Sequence, residues 1–529
     1  MSPTVTEATL TARNPATGET IGAVAATAPH DVDAVVAGIY RVQPIWALLR
    51  PTDRARYLRR VAQAVIAEFE ELTDLLAREG ARPRAEVATL ELLPAIDALL
   101  WMADEGGRVL SGRRVGVHRS LFPVKRARVH YEPFGVVGVI GAGSAPFAQP
   151  LGQIAGALLA GNGVAFKPAP RAVLAAERIA RVLARAGLPE GLVRVLPGGR
   201  ETGLALARSS VAKVLFTGSP SVGHEIARAC VSLDKEVTIE AGGKDAMIVC
   251  ADAHVHRAVA GALWSGFAAA GQARGSVERV YVVESAFEPF LSALVRGASG
   301  LTVGDPLLDA TQVGPLSSPR RLARIRELVD DAVDAGARLH CGGPVAPPGL
   351  SGSFYAPAVL SEVTEDMAIM REPLNGPVLA VMRVASLDEA IRHVNDSAYG
   401  LGASVWTADR YAGLRVAREL RVGMVWCNDH LPSPAVTRGP WGARAGSGLG
   451  RTLGESGLRA CAQEKLVTWD PPGPRGLWWG PYDATLTRAA QSFAELRSSR
   501  DADRQRAWRH GARAMVGVGV RTLRRRARR

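Results

Sequence analysis

Apolar positions recur at helical spacing through the first hundred residues. Residues 31–45 read as one helix, 52–79 as a second that opens on Thr52-Asp53 after Pro51, and 84–108 as a third. From Phe134 the period changes. Short continuous apolar runs at 135–140, 163–166, 192–196 and 211–216 read as buried strands, and 155–160, 172–186, 201–207 and 221–230 read as helices. This βαβ alternation predicts a parallel, doubly wound sheet with ligands at the carboxyl ends of its strands. After Gly242 a second α/β unit begins, with strands at 247–249, 279–283 and 356–360, helices through 287–295 and 319–335, and a further strand and helix pair within 367–427. Residues 430–459 read as a Gly/Pro-rich loop, and 115–133 alternates apolar and charged residues as an exposed hairpin does.

Composition adds bounds to this picture. A chain of 529 residues is too long for one compact domain, and 47% hydrophobic with 22% charged residues is an ordinary globular mixture. The five cysteines (Cys230, Cys250, Cys341, Cys427 and Cys461) form no CxxC pair. That spacing argues against a disulfide framework or a structural zinc site and fits a reducing cytoplasm. No basic region precedes an apolar run at the amino terminus, so no secretory signal is read, and no apolar run reaches the about 18 residues a membrane span needs. The net charge of +13 is uneven: residues 501–529 hold ten Arg and two Asp, so the body is only mildly basic.

Candidate chemistry sits where the predicted strands end. A dinucleotide needs backbone amides and a cation near its phosphates. Lys167-Pro168 closes one buried run, and Phe216-Thr217-Gly218-Ser219 closes another ahead of a helix. Alone, each is a plain strand exit or helix cap. A carboxylate, Glu240, stands in the Gly-rich turn Glu240-Ala241-Gly242-Gly243-Lys244, where it could simply cap a helix or meet Lys244. Gly446-Ser447-Gly448-Leu449-Gly450 has the look of a phosphate loop, but no buried strand leads directly into it.

In order, these motifs and Pro133-Phe134-Gly135, Gly161-Asn162, Ala186-Gly187-Leu188-Pro189, Asn395-Asp396-Ser397 and Pro440-Trp441-Gly442 resemble the aldehyde dehydrogenase superfamily over roughly 10–470. The resemblance implies an α/β fold in three parts. A Rossmann-type nucleotide domain takes 1–114 and 134–240, an α/β catalytic-type domain 241–459, and a β-hairpin oligomerisation arm 115–133 and 460–470; a basic tail follows at 471–529. It implies NAD or NADP as cofactor, with Lys167 at the adenosine ribose and Gly218 and Ser219 near the pyrophosphate. Glu240 would be the general base beside the cofactor, and Trp441 would stand in the wall of the substrate tunnel. The hairpin either reaches a neighbouring subunit, giving a homo-oligomer (dimer or tetramer), or is a plain surface hairpin.

The chemistry the family performs needs a thiolate to form a tetrahedral adduct, donors aimed at the resulting alkoxide, and a base to activate water. Here the pattern around the nucleophile reads Phe267-x-Ala269-x-Gly271-Gln272-x-Arg274, so an arginine, which is no nucleophile, occupies the thiol position. Ser144 falls at the oxyanion position in place of the family's Asn, and Ala269 replaces a second Asn. Pro170 and Pro373 stand where the resemblance places ribose-holding carboxylates. Of the cysteines, Cys427 is the one the fold would bring nearest the tunnel, and Ser276 has no base beside it in sequence. The expectation is a family member impaired in NAD(P)-dependent aldehyde oxidation, with weakened dinucleotide binding and an aldehyde ligand or none. The alternatives are an active oxidoreductase with a non-cysteine mechanism, or a binding partner recruited through the Arg-rich tail. Within the tail, 508–523 is apolar between Arg clusters, a pattern open to an anionic membrane surface or to solvent, with nucleic acid the weaker match.

Overall fold

The structure is a computed structural model that describes residues 9–524, except 120–121, 123, 432–435, 473–475, 477–478 and 480–481. The chain divides into two compact units, Met1–Ser111 with Tyr131–Gln463, and Gly112–His130 with Glu464–Arg529.

The first unit is built on two sheets. One has six strands in the order Gly448–Leu449, Glu236–Ala241, Lys213–Gly218, Val136–Ile140, Gly163–Lys167, Val193–Val195. Five of these run parallel, and every residue of Val136–Ile140 and Gly163–Lys167 is buried, as continuous apolar strands covered on both faces must be. The covering helices are Ala148–Ala160, Val173–Arg185, Arg200–Arg208 and Pro220–Val231. The sixth strand comes from the segment 430–459 that the sequence reads as loop. Gly448–Leu449 pairs antiparallel with the edge strand, setting Gly448 opposite Glu240 and Leu449 opposite Ile239. A β-carbon on Gly448, whose φ is +143°, would lie 2.2 Å from the Ile239 carbonyl oxygen, so glycine is what permits the approach. A short helix, Gly454–Arg459, follows in the same segment.

The second sheet has seven strands in the order Arg338–Val345, Phe354–Ser361, Val378–Val384, Val277–Val283, Asp245–Val249, Gly402–Trp406, Met424–Cys427. Only its outermost pair, Arg338–Val345 with Phe354–Ser361, is antiparallel. The predicted helix 52–79 is two helices, Pro51–Ala67 and Phe69–Gly80. The break falls at Glu68 (φ −105°, ψ 17°), whose buried carboxylate is held by Arg178 and Arg185 of the neighbouring helix.

Ala462–Trp469, Arg126–Pro133 and Arg113–Val115, most of whose residues belong to the second unit, form a three-stranded sheet in that order. The tail forms helices at Ala484–Glu495, Asp501–Arg506 and Ala512–Arg524, the first and last packing through Ala489, Ala514 and Val518. Its terminal Arg525, Arg526, Arg528 and Arg529 lie outside the described residues. No single described helix is long and apolar enough to cross a membrane.

Candidate active site

Glu240 is the penultimate residue of the strand Glu236–Ala241, between Gly448–Leu449 and Lys213–Gly218, and is 4% exposed. Neither plain reading of it survives. Lys244 is fully buried against Glu278 at 2.9 Å, and Glu240 caps no helix. Its carboxylate is held instead by the helix Ala148–Ala160, where Gln149 and Gln153, four apart and hence on one face, donate to Oε2 at 3.4 Å and to Oε1 at 3.1 Å. Arg274 completes the set: its Nη1 lies 2.6 Å from Glu240 Oε2. The amide oxygens of both glutamines are buried and have no partner among the described residues.

Arg274 is delivered by an unusual turn. Ala269, Ala270 and Gly271 are all left-handed, at φ 53°, 53° and 68°. For the two alanines this costs about 1–2 kcal/mol each. The turn is pinned on both sides. Ala269 N–H donates to Glu86 Oε2 at 2.8 Å, a carboxyl that burial pushes up to about 7. Gly271 passes so close to Gly376 that a β-carbon there would lie 2.0 Å from its carbonyl oxygen.

Two cavities meet at Arg274. A tunnel of about 410 Å³ is walled by Trp101, Met102, Trp426 and Trp441 and has Glu240, Gln149, Gln153 and Arg274 in its lining. A cleft of about 450 Å³ lies at the carboxyl ends of the parallel strands. It is lined by Lys167, Gly218, Ser219, Ser144, Pro170 and Pro373, and again by Arg274. The residues singled out in the sequence are thus brought together, but on two sides. Ser144 faces the cleft and is absent from the tunnel lining; Glu240 lines the tunnel and not the cleft. Trp441 stands in the tunnel wall. Cys427 is exposed and lines neither cavity. Cys461 lines the tunnel in its place, but burial pushes its thiol up to about 11 and it donates to the Gly457 carbonyl at 3.5 Å, which leaves no thiolate near neutral pH. Ser276 is buried, and its hydroxyl has no hydrogen-bond partner among the described residues.

Ser219 is the N-cap of the helix Pro220–Val231, whose first amides and dipole favour a pyrophosphate. Lys167, buried at 6% exposure, is lowered to about 8 by burial and would gain from an anionic or hydroxyl partner. No carboxylate lines the cleft to hold ribose hydroxyls among the described residues. Sequence reasoning missed Gln149 and Gln153, although they are the only polar side chains in the helix Ala148–Ala160, an available signal. It also missed Arg171 and Arg321 of the cleft, whose sequence neighbourhoods carry no motif.

Comparison with known proteins bears on the whole of this arrangement. The model of the aldehyde dehydrogenase family matches residues 3–467. The chain is 35% identical over 456 residues to betaine aldehyde dehydrogenase 1 of Rhizobium meliloti, covering 86% of this chain and 92% of the relative. It is equally identical, with the same coverage, to a betaine aldehyde dehydrogenase of Cereibacter sphaeroides. Among solved structures, an aldehyde dehydrogenase of Mycobacterium tuberculosis complexed with NAD+ superposes with a TM-score of 0.83 at 34% identity, over 88% of this chain and 95% of that one. A putative aldehyde dehydrogenase from Burkholderia cenocepacia superposes at 0.84 with 31% identity, over 88% and 94%. With family model, sequence relatives and α/β architecture in agreement, the chain belongs to the aldehyde dehydrogenase family.

Proposed function

We propose that this chain is a thiol-deficient aldehyde dehydrogenase that retains a ligand tunnel and a dinucleotide cleft but is impaired in aldehyde oxidation. The observation that carries the reading is the 2.6 Å ion pair between Arg274 and Glu240 at the junction of the two cavities. A guanidinium cannot attack a carbonyl carbon, and a carboxylate locked to it is poorly placed to take a proton from water. A bound NAD or NADP would supply a hydride acceptor. This chain's own residues would hold it through Lys167, Gly218, Ser219 and the start of the helix Pro220–Val231, less firmly for want of ribose carboxylates. Ser144 would contribute one hydroxyl donor on the cleft side. The relatives' names point to a quaternary ammonium aldehyde as the tunnel ligand, and the walls formed by Trp101, Trp426 and Trp441 suit such a group.

The test is an assay of the purified chain with NAD and NADP over a panel of aldehydes, beside Arg274→Cys and Glu240→Gln. No turnover by the unmodified chain is expected. Turnover by the unmodified chain that is lost in Glu240→Gln would overturn the reading in favour of a non-cysteine mechanism. A homo-oligomeric assembly is supported by the strand Ala462–Trp469, which turns Leu466, Val467 and Trp469 outward. A cytoplasmic setting is supported by five free cysteines. Peripheral contact with an anionic membrane through 508–529 is a second reading, favoured by exposed Trp508 and Val516 on a basic helical segment. Vesicle binding equal to that of a chain ending at residue 474 would retire it.

A further inference from the structure

Six cations line the cleft, and no carboxylate does among the described residues. Three of the six are neutralised from behind. Arg82 pairs with Glu91 at 2.7 Å, Arg200 with Glu225 at 2.6 Å, and Arg274 with Glu240 at 2.6 Å. The other three, Lys167, Arg171 and Arg321, make no ion pair among the described residues. Lys167 belongs to the dinucleotide reading given above; Arg171 and Arg321 do not.

These two arginines are held in place by backbone carbonyls. Arg171 Nη1 donates to Ser317 O at 2.8 Å, and Arg321 Nη1 donates to Asn375 O at 3.0 Å. Each bond fixes one arm of a guanidinium and leaves the remaining donors of a rigid fork for a ligand. Desolvation lowers both although Arg171 is exposed, Arg171 lowers Arg321 further while Glu278 partly raises it, and the two guanidiniums therefore lie near enough to repel. Beside them the Ser317 hydroxyl is buried with no partner among the described residues, while its amide donates to Gln272 Oε1 at 3.0 Å. Arg171 is exposed and Arg321 half-buried, and the one carboxylate acting on Arg321, Glu278, is already bound to Lys244 at 2.9 Å; an anion placed between the two guanidiniums relieves their repulsion. A carboxylate carries one charge and two acceptor atoms. A phosphate dianion carries two charges and three acceptor oxygens, matching two guanidinium forks and a hydroxyl.

We propose that Arg171, Arg321 and the Ser317 hydroxyl form a phosphate-dianion site in the cleft. The site rests on this side-chain cluster and is independent of whether the chain oxidises an aldehyde. The phosphate is either free orthophosphate or a phosphate monoester carried on a nucleotide.

The probe is sodium phosphate, titrated calorimetrically into the full-length chain at constant ionic strength. Saturable binding is expected, weakened on the order of tenfold or more in Arg171→Ala and in Arg321→Ala. Arg200→Ala, which removes a cation already paired with Glu225, should leave the phosphate affinity within about twofold, since a compensated charge contributes little. Thermal unfolding without phosphate monitors folding of each variant, and Arg171→Lys, which keeps the charge and loses the fork, should fall between the native chain and Arg171→Ala. Two further arms identify the source. Phosphate that still binds to NAD-saturated protein marks a free-phosphate site; a preference for NADP over NAD that disappears in Arg171→Ala marks a nucleotide-borne one. No saturable phosphate binding together with no such preference, or affinities unchanged in both arginine variants, overturns the proposal. NAD binding retained under those conditions leaves the dinucleotide reading of the cleft standing.

Discussion

The tunnel and the cleft share Arg274 but hold their titratable groups in opposite ways. Around the tunnel wall such groups are discharged. His430, packed on Trp426 with ring centroids 4.7 Å apart, is pushed down to about 4 by burial, and its Nε2 meets the Gly275 carbonyl at 2.9 Å. Asp245 is fully buried and raised well above the carboxylate range by the same cause, and the Cys461 thiol stays protonated. In the cleft the groups keep their charge: Lys167, Arg171 and Arg321 carry no carboxylate partner among the described residues. Between the two regions, Arg274 and Glu240 cancel each other. Discharging suits a wall whose aromatic faces pack against a weakly hydrated ligand. Retained positive charge suits a surface that a phosphorylated ligand completes.

The comparison can be broken at its junction first. Arg274→Met leaves Glu240 as a buried carboxylate without its cation, and urea unfolding at pH 7 should show a loss of about 3 kcal/mol. Adding Glu240→Gln should recover most of it; a double variant as unstable as the single one would mean that the pair is not what Arg274 supplies. On the tunnel side, the unfolded chain protonates His430 below about 6.5 while the folded chain resists until about 4. Stability of the native chain should therefore fall relative to His430→Leu by about 1.4 kcal/mol per pH unit across that window, read from paired unfolding curves. On the cleft side, Lys167→Met removes an uncompensated buried cation and should raise stability at pH 7 by about 2 kcal/mol. That gain is full below about 8, where the folded lysine is still charged, and fades as the pH rises toward the ordinary lysine range near 10.5. The smallest effect belongs to the turn that aims Arg274. Ala269→Gly relieves a left-handed alanine, and the relief offset by glycine's extra unfolded-state entropy leaves a gain of about 0.5 kcal/mol in thermal unfolding.

The parallel strands were legible because burial on both faces writes them as unbroken apolar runs, and Glu240 and Arg274 were legible because each sits in a spaced motif. What could not be read is pairing at a distance. Nothing near Arg171 or Arg321 says that neither finds a carboxylate, whereas Arg82 and Arg200 find one. The choice of Cys427 over Cys461 as the tunnel cysteine failed for the same reason: the strand Met424–Cys427 ends on the surface, while the chain after Gly454–Arg459 turns inward. The helix break at Glu68 was hidden because a glutamate reads as an ordinary helix residue until its partners, Arg178 and Arg185, arrive from another helix.

The pairing of Gly448–Leu449 with the Glu240 strand also sets an order of events in time. The parallel core of the six-stranded sheet is complete by residue 241, and its five strands follow one another closely along the chain. The outer neighbour of Glu240 is made last, from a segment far downstream. During synthesis the first five strands can assemble while the rest of the chain is still being made, with Glu240 on an open rim. Only when residue 448 emerges is that rim closed, so the polar junction is the final piece of this sheet to become native, and a chain truncated before it would present the Glu240 strand as an unguarded edge.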